Sequence, residues 1–106
     1  MKIGLGIGIT GNEGINDVIR QIQRAEEAGF DAVWLPNIFG LDAITTLAVA
    51  GRETSQIELG TFVVPTYPRH PVAMAQQALT AAAATRGRFT LGIGLSHRIV
   101  IEGMFG

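Results

Sequence analysis

The second half of the sequence alternates between strand signals and helix signals, and this alternation constrains the fold more than any other feature. Residues 57–64 are rich in β-branched, aromatic and aliphatic side chains, and Pro65 lacks the N–H of a strand interior, so a strand is predicted to end there. A helix is predicted over 71–86, because proline suits its first turn and Gly87 suits its end. A second strand is predicted over 89–95. The segment is therefore typical of a β-α-β unit.

The first half of the sequence repeats this unit. A short apolar strand is predicted over 2–8, followed by a helix that Asn16 caps and Gly29 ends. This helix carries an apolar stripe, which consists of Val18, Ile19, Ile22, Ala25 and Ala28. The next strand is predicted over 32–35, and Asp42 is predicted to cap a second helix.

The predicted order is β-α-β-α-β-α-β in a single α/β domain over 1–106, with no linker and no second domain. Strict alternation of this kind favours parallel strands joined by right-handed crossovers. A doubly wound sheet could be nearly complete at this length, whereas a (β/α)8 TIM barrel normally needs about 250 residues. A barrel would make the chain roughly an N-terminal half, with two open strand edges that favour self-association.

Composition excludes several functional classes. Hydrophobic residues make up 47% of the chain and charged residues 16%, and the net charge of -1 gives no support for nucleic-acid binding. A sequence without cysteine excludes disulfides, thiolate zinc ligands and a thiol nucleophile, and it agrees with a cytoplasmic location. Two histidines without paired acids give no support for a metal site. No signal peptide is predicted, and no apolar run approaches the ~20 residues of a membrane span.

Gly6, Gly8 and Gly11 form a G-x-G-x-x-G pattern after the first predicted strand. Such a pattern lets the backbone approach the pyrophosphate of a dinucleotide at a helix N-terminus. Here, however, four residues separate the last glycine from the predicted helix cap, and no acid follows the second strand to bind a ribose. The alternatives are a small dinucleotide-binding module and a glycine-rich strand that lets its neighbours pack closely.

A further glycine pair, Gly92 and Gly94, precedes Ser96 and His97 at the predicted end of the last strand. In parallel α/β folds this end of the strands faces the ligand. His97 could donate to a cofactor or act as an acid or base near neutral pH, and the alternative is a loop histidine without a function. Ser96 lacks the following glycine that a nucleophile elbow requires.

The remaining charged candidates have structural interpretations. His70 is expected to cap a helix or to face solvent, whereas Arg69 beside it could meet a phosphate or a carboxylate. Arg86 and Arg88 flank a turn at the opposite end of a strand, where stability is the expected role. Glu26 in the first helix is predicted to lie on a solvated face.

Three segments together carry a family resemblance: FDAVWLPN at 30–37, IELGTFVVPTYPRHPVAMAQQALT at 57–80 and GRFTLGIGLSH at 87–97. In order and spacing they resemble the luciferase-like monooxygenase family, and within it the branch that uses the deazaflavin coenzyme F420 instead of FMN. The resemblance implies a partial TIM barrel with the flavin-like ring at the C-terminal ends of the strands. It also implies an oxidoreductase that transfers a hydride between the cofactor and a small organic substrate.

The resemblance assigns candidate cofactor-binding residues, which are Asn37, Gly60, Thr61, Val63, Gly94, Ser96 and His97. A bulge in the third strand supports the ring in this family and often contains a non-prolyl cis peptide, which the alignment places at Gly60–Thr61. Without the resemblance, Gly60 is equally an ordinary strand glycine that allows close packing. Asn37 retains a polar contact where the family usually has an acid or base, so proton transfer from this position is in doubt.

Three functions follow as alternatives. The first is the F420- or FMN-dependent oxidoreductase of small molecules, and the second is a catalytically silent half-barrel that pairs with itself. The third is the dinucleotide-binding module. Family members often dimerise through the second and third helices, where Ala73 and Ala81 permit close contact, so a homo-oligomer through these helices or through open strand edges is expected.

Overall fold

The computed structural model describes residues 2–8, 14–37 and 40–95, and strands and helices alternate along them. The elements are β1 (Gly4–Gly6), α1 (Ile15–Glu27), β2 (Ala32–Leu35), α2 (Ala43–Arg52), β3 (Glu58–Thr61), β4 (Val64–Pro65), α3 (Pro71–Ala84), β5 (Phe89–Thr90) and β6 (Ile93–Gly94). Each described strand pairing is parallel. The predicted α/β class and element order are confirmed, although the third and fourth predicted strands are each divided in two.

The sheet follows the order of the chain. Four strands are arranged as β1-β2-β3-β5, and β4 pairs with β6 beside them. The register aligns Gly6 with Trp34, Trp34 with Gly60, and Gly60 with Thr90. Sequential parallel neighbours of this kind are the arrangement of consecutive barrel strands.

The described helices cover one face of the sheet. Side chains of α1 and α2 pack with Leu35 and Leu59 in one core cluster, and α3 contributes Met74 and Ala81 to a second cluster beside Val64. A doubly wound sheet has helices on both faces, so the described part of the chain has the layers of a partial barrel. The face opposite the helices is called the inner face below.

The first helix begins earlier than its sequence predicts. Gly14, in an extended conformation, is the N-cap and Ile15 is the first helical residue, so Asn16 lies inside the helix and the prediction of Asn16 as the cap was wrong. Val18, Ile22 and Ala25 are buried as predicted, whereas Ala28 is exposed at the C-cap. Gly29 with φ +90° ends the helix, as expected of a residue in the left-handed region.

A bulge interrupts the strand that was predicted over 57–64. The ladder of β3 ends at Thr61, a cis peptide bond joins Phe62 to Val63, and pairing resumes in β4. Pro65 is the last residue of β4, so the strand ends there as predicted, although Pro65 itself is still paired with Gly94. It is tolerated because the ladder donors of β4 are the N–H groups of the two flanking residues, Val64 and Thr66.

The third helix starts at Pro71 as predicted and ends at Ala84, two residues before the predicted end. Gly87 with φ +81° donates its N–H to the carbonyl of Ala82 at 2.8 Å, and this satisfies a carbonyl at the helix end. Over the part of the chain that the structure describes, no helix combines the length and the hydropathy that crossing a membrane requires.

Candidate functional site

Trp34 lies on the inner face of the sheet, against two glycines of the neighbouring strands. A Cβ atom added at Gly4 would lie 2.8 Å from the indole Nε1, and one added at Gly60 would lie 2.3 Å from Cζ3. Both distances are too short for real atoms, so the indole rests directly on the backbone of β1 and β3. The ring therefore forms the floor of the inner face. Sequence reasoning missed Trp34, because only the folded sheet brings it against Gly4 and Gly60.

Gly60 was predicted to bind the cofactor and to form a cis peptide with Thr61. The cis bond instead joins Phe62 and Val63, so its predicted position was wrong by two residues. The reason is that Gly60 and Thr61 still pair in register with β2, and the ladder breaks only after them. The contact with Trp34 supports the alternative in which Gly60 allows close packing.

Thr61 bridges β3 to the segment between β5 and β6. Its hydroxyl donates to the carbonyl of Gly92 and accepts from the N–H of the same residue, both at 2.8 Å, and Thr61 is fully buried. A Cβ at Gly92 would lie 2.2 Å from the Thr61 carbonyl oxygen, so only glycine fits there. In the described structure both hydrogen-bonding capacities of the Thr61 hydroxyl are used within the sheet, and Thr61 holds the start of the bulge in place.

Val63 and Gly94 meet on the far side of the bulge. A Cβ at Gly94 would lie 2.8 Å from Cγ2 of Val63, so the glycine makes room for the valine side chain. The carbonyl of Gly94 also accepts the N–H of Thr66 at 2.9 Å. These three residues line the rim of the sheet at its C-terminal end, whereas Ser96 and His97, predicted to join them, lie outside the described residues.

Asn37 follows β2 and is tied to the start of α2. Its Oδ1 accepts the N–H of Ala43 at 2.7 Å. Because a backbone N–H can only donate, this contact determines which end of the amide faces the helix, and Nδ2 remains the end directed away from it. Asn37 can therefore offer a ligand a hydrogen-bond donor at the C-terminal edge of the sheet.

Asp42 and Arg69 link the starts of α2 and α3. Asp42 caps α2 as predicted, accepting the N–H of Thr45 at 3.0 Å, and it forms an ion pair with Arg69. Burial raises the pKa of Asp42, but the hydrogen bonds from Thr45 and the Arg69 guanidinium outweigh it and hold the pKa below its ordinary value. Arg69 also donates to Gln77 at 2.9 Å, and its predicted contact with a carboxylate is confirmed by the ion pair with Asp42.

His70 caps α3, which was one of the two roles predicted for it. Its Nδ1 accepts the N–H of Val72 at 3.1 Å, and the carbonyl of His70 accepts the N–H of Met74. Pro71 occupies the first helical position, where its missing N–H costs nothing. The starts of α2 and α3 therefore both carry side-chain caps.

Arg88 holds together the opposite, N-terminal end of the sheet. Its guanidinium donates to the carbonyls of Gly51, Ile57 and Thr85 and to the carbonyl and hydroxyl of Thr54. These contacts join the end of α2, the start of β3 and the end of α3. The stability role expected for Arg88 agrees with this geometry.

Glu26 was predicted to lie on a solvated face, and it is indeed only partly buried, but the prediction missed the structural role of its carboxylate. Its carboxylate accepts the N–H groups of Ser55, Gln56 and Ile57 at 3.0, 2.8 and 2.9 Å. Burial raises its pKa, but these hydrogen bonds and the charge of Arg88 outweigh burial and hold the pKa below its ordinary value. The partners lie about thirty residues away in the sequence, so local pattern carries no signal for them.

Gly6 and Gly8 differ from the glycines that contact Trp34. Among the residues that the structure describes, no atom lies within 4 Å of a Cβ added at either position. Gly11, the third glycine of the pattern, lies outside the described residues. The described residues therefore leave the inner face uncovered at the C-terminal end of β1.

Comparisons with known proteins agree with this architecture. A protein of Mycobacterium tuberculosis whose name describes a coenzyme F420-dependent oxidoreductase is 40% identical over 106 residues, which cover 100% of this chain and 30% of that protein. An F420-dependent glucose-6-phosphate dehydrogenase of Intrasporangium calvum is 35% identical over 96 residues, covering 81% of this chain and 29% of that protein. The structure of a coenzyme F420-dependent tetrahydromethanopterin reductase from Methanopyrus kandleri matches with a TM-score of 0.86 at 25% identity, over 98% of this chain and 30% of that one.

The chain thus spans about 30% of the length of these relatives, compared with the half of a barrel that the sequence suggested. The sequence model of one family, described as luciferase-like monooxygenase, matches residues 2–106. Since this match extends over nearly the whole sequence and the fold agrees with it, the chain belongs to the luciferase-like monooxygenase family.

Proposed function

We propose that this chain forms one wall of a coenzyme F420 site in an oxidoreductase barrel that acts on a small organic substrate, with FMN as the alternative cofactor. The observation that carries the proposal is the space that the described residues leave uncovered above Gly6 and Gly8 on the inner face, at the C-terminal end of β1. A planar three-ring system needs a flat surface without side chains, and a glycine backbone provides one. The relatives named above as F420-dependent support the choice of cofactor.

The residues around this space position a ligand and do not titrate. When bound, the deazaflavin supplies or accepts a hydride, and such a transfer depends chiefly on how the two reactants are held. Asn37 can donate a hydrogen bond to a ligand from its Nδ2 at the edge of the sheet, because its Oδ1 accepts the N–H of Ala43. An amide does not exchange its proton as an acid or base near neutral pH, so Asn37 orients an oxygen acceptor and leaves protonation to another group.

The phosphate-bearing tail of F420 or FMN is bound elsewhere in this proposal. The start of α2 is already capped by Asp42 and Asn37, and the start of α3 by His70. Because the pKa of Asp42 is held below its ordinary value, its carboxylate is negatively charged near neutral pH and disfavours a phosphate there. The groups that bind the tail therefore belong to other parts of the protein.

A titration of F420 and of FMN against the purified chain, followed by absorbance and fluorescence, tests the proposal. We expect saturable binding, weakened about tenfold or more by Gly6→Val, which fills the open space without meeting a neighbouring atom. The control is Ala83→Val on the exposed side of α3, which should bind as the parent chain does. If the folded chain binds neither cofactor, or if Gly6→Val binds as tightly as the parent, the proposal is wrong.

We also propose that copies of the chain associate through α2 and α3. A groove of about 370 Å³ lies between these helices, lined in part by Ile44, Ala48 and Ala81. Val72 and Leu79 of α3 are 65% and 72% exposed, which is unusual for large apolar side chains. A self-associating chain without cofactor binding would be the catalytically silent alternative.

Sedimentation velocity tests this association. The parent chain is expected to form dimers or larger species, and Leu79→Glu is expected to shift it to monomers because it places a charge on the apolar surface. A monomeric parent chain at high concentration would refute association through these helices. Association that Leu79→Glu leaves unchanged would instead assign it to the open strand edges.

A further inference from the structure

Arg69 is a charged residue whose side chain is only 15% exposed, and it joins the start of α3 to the start of α2. We infer that Arg69 is a positioning residue: through Asp42 and the start of α2, it holds Asn37 in the orientation that donates a hydrogen bond to the cofactor. This inference rests on the proposed function and deepens it, because it names the residue that orients the donor of the proposed site.

Both terminal nitrogens of the Arg69 guanidinium are engaged within the protein. Nη2 donates to Oδ1 of Asp42, and Nη1 donates to the side-chain oxygen of Gln77 at 2.9 Å. The main chain is also held, because the N–H of Arg69 donates to the carbonyl of Thr66 at 3.3 Å. A planar guanidinium that is bound on two sides has a fixed orientation, so Arg69 can hold the carboxylate of Asp42 in one place.

Asp42 divides its two carboxylate oxygens between two elements. Oδ1 accepts from Arg69, whereas Oδ2 accepts the N–H of Thr45 at 3.0 Å and its hydroxyl at 2.6 Å. The carbonyl of Asp42 accepts the N–H of Thr46 at 2.9 Å. The ion pair with Arg69 therefore holds the residue from which α2 starts, and the charge on both partners strengthens this contact.

The position of this start determines how Asn37 is oriented. Oδ1 of Asn37 accepts the N–H of Ala43, the first residue of α2, at 2.7 Å. Asp42 and Ala43 are adjacent in the chain, so a shift of Asp42 moves the N–H that holds the amide. The Nδ2 end of Asn37 moves with it, and a hydrogen bond to a ligand weakens as its geometry departs from the ideal.

The same contacts argue against a direct contact between Arg69 and a phosphate. Asp42 neutralises the guanidinium, and the pKa of Asp42 lies below its ordinary value, so its carboxylate stays ionised near neutral pH. The remaining alternative is a merely structural role, in which Arg69 joins α2 to α3 and contributes only to stability. That role predicts no effect on ligand affinity that depends on Asn37.

The first test follows the start of α2 in the chain without ligand. Hydrogen exchange of the Ala43 amide, measured by NMR, reports the hydrogen bond to Asn37. In Arg69→Gln this amide should exchange about tenfold faster than in the parent chain. The Leu59 amide, which donates to the carbonyl of Arg88 at the opposite end of the sheet, is the reference for global unfolding. Faster exchange at Ala43 alone supports the inference, and no change there or equal acceleration of both amides overturns it.

Two further variants separate the ion pair from the cap. Asp42→Asn keeps the cap, because its oxygen still accepts from Thr45, but the amide nitrogen that replaces the other oxygen cannot accept from Arg69. It should therefore reproduce the faster exchange of the Ala43 amide. Arg52→Gln is the control, since it removes the same charge at the exposed opposite end of α2. An unchanged Ala43 amide in Asp42→Asn, or an equal acceleration in Arg52→Gln, overturns the inference.

The second test measures F420 affinity in a double-mutant cycle of Arg69→Gln and Asn37→Ala. If Arg69 acts through Asn37, Arg69→Gln weakens F420 binding about fivefold in the parent chain and adds no loss to Asn37→Ala. Unchanged affinity in the parent background, or the same loss in both backgrounds, overturns the inference. If the parent chain binds neither F420 nor FMN, the proposed function fails, and the exchange of the Ala43 amide then decides alone whether Arg69 positions Asn37.

Discussion

Thr61 offers the sharpest test of how the bulge is held. Thr61→Val keeps the shape of the side chain but removes both hydrogen bonds to Gly92. Each such bond contributes about 1 kcal/mol net, and a buried backbone group left without a partner costs about 1–3 kcal/mol. Since Gly92 is only half-buried, water can reach part of it, so we take the lower end and expect the free energy of unfolding to fall by about 2 kcal/mol. For a domain of this size that corresponds to a Tm lower by roughly 8–16 °C.

Urea unfolding monitored by Trp34 fluorescence measures this loss, and hydrogen exchange of the Gly92 amide measures its location. Thr61→Ser is the matched control, because it keeps the hydroxyl and loses one methyl group, at a cost of about 1 kcal/mol. The Gly92 amide should exchange faster in the valine variant and remain protected in the serine variant. If both variants unfold at the same urea concentration and protect Gly92 equally, the reasoning about this hydrogen-bonded pair is wrong.

Three further predictions concern groups at the two ends of the sheet. Arg88→Lys should lower the free energy of unfolding by about 2–4 kcal/mol, because one ammonium group cannot replace the hydrogen bonds of a planar guanidinium. Arg86→Lys is the control and should have little effect in the same urea assay. The pKa of Glu26 is lowered in the folded state, so the ionised carboxylate stabilises the fold above its ordinary pKa of about 4.5, and this stabilisation is lost as the pH falls below that value. The Tm of Glu26→Gln should therefore depend less on pH on the acid side than the Tm of the parent chain, whereas Glu27→Gln should behave as the parent chain does. Asn37→Ala should lower stability by about 1 kcal/mol, while Asn37→Asp should preserve it, because a carboxylate can still accept from the start of α2; equal losses in thermal unfolding would contradict the capping role.

Local signals predicted the elements well where a single residue type controls the backbone. Pro71 at the first position of α3, Asp42 at the cap of α2 and the positive φ of Gly29 and Gly87 all appear as the sequence indicated. Asn16 failed as a cap because Gly14, two residues earlier, already adopts the extended conformation that begins a helix. Capping preferences rank residue types but do not decide between neighbouring candidates.

The structure adds contacts within the protein at the residues predicted to form the site, and their cofactor contacts stay predictions. Asn37 follows β2, and its Oδ1 accepts a hydrogen bond from the start of α2, which leaves its Nδ2 as a donor. Gly60 makes room for Trp34 and Thr61 is hydrogen-bonded to Gly92, and the cofactor contacts expected of both residues stay predictions. The resemblance located the correct strand but not the residue at which its ladder breaks.

The sequence by itself determined the order of strands and helices, because turn glycines, prolines and caps act on the backbone within a few residues. Only the tertiary structure decided which contacts join them. Glu26 reaches the turn before β3, and Thr61 reaches Gly92, across about thirty residues of chain in each case. The exposure of Phe62 depends on the tertiary structure in the same way, since its N–H pairs with Leu35 of the neighbouring strand. Contacts of this range depend on how β-α-β units pack side by side, and no local pattern encodes that arrangement.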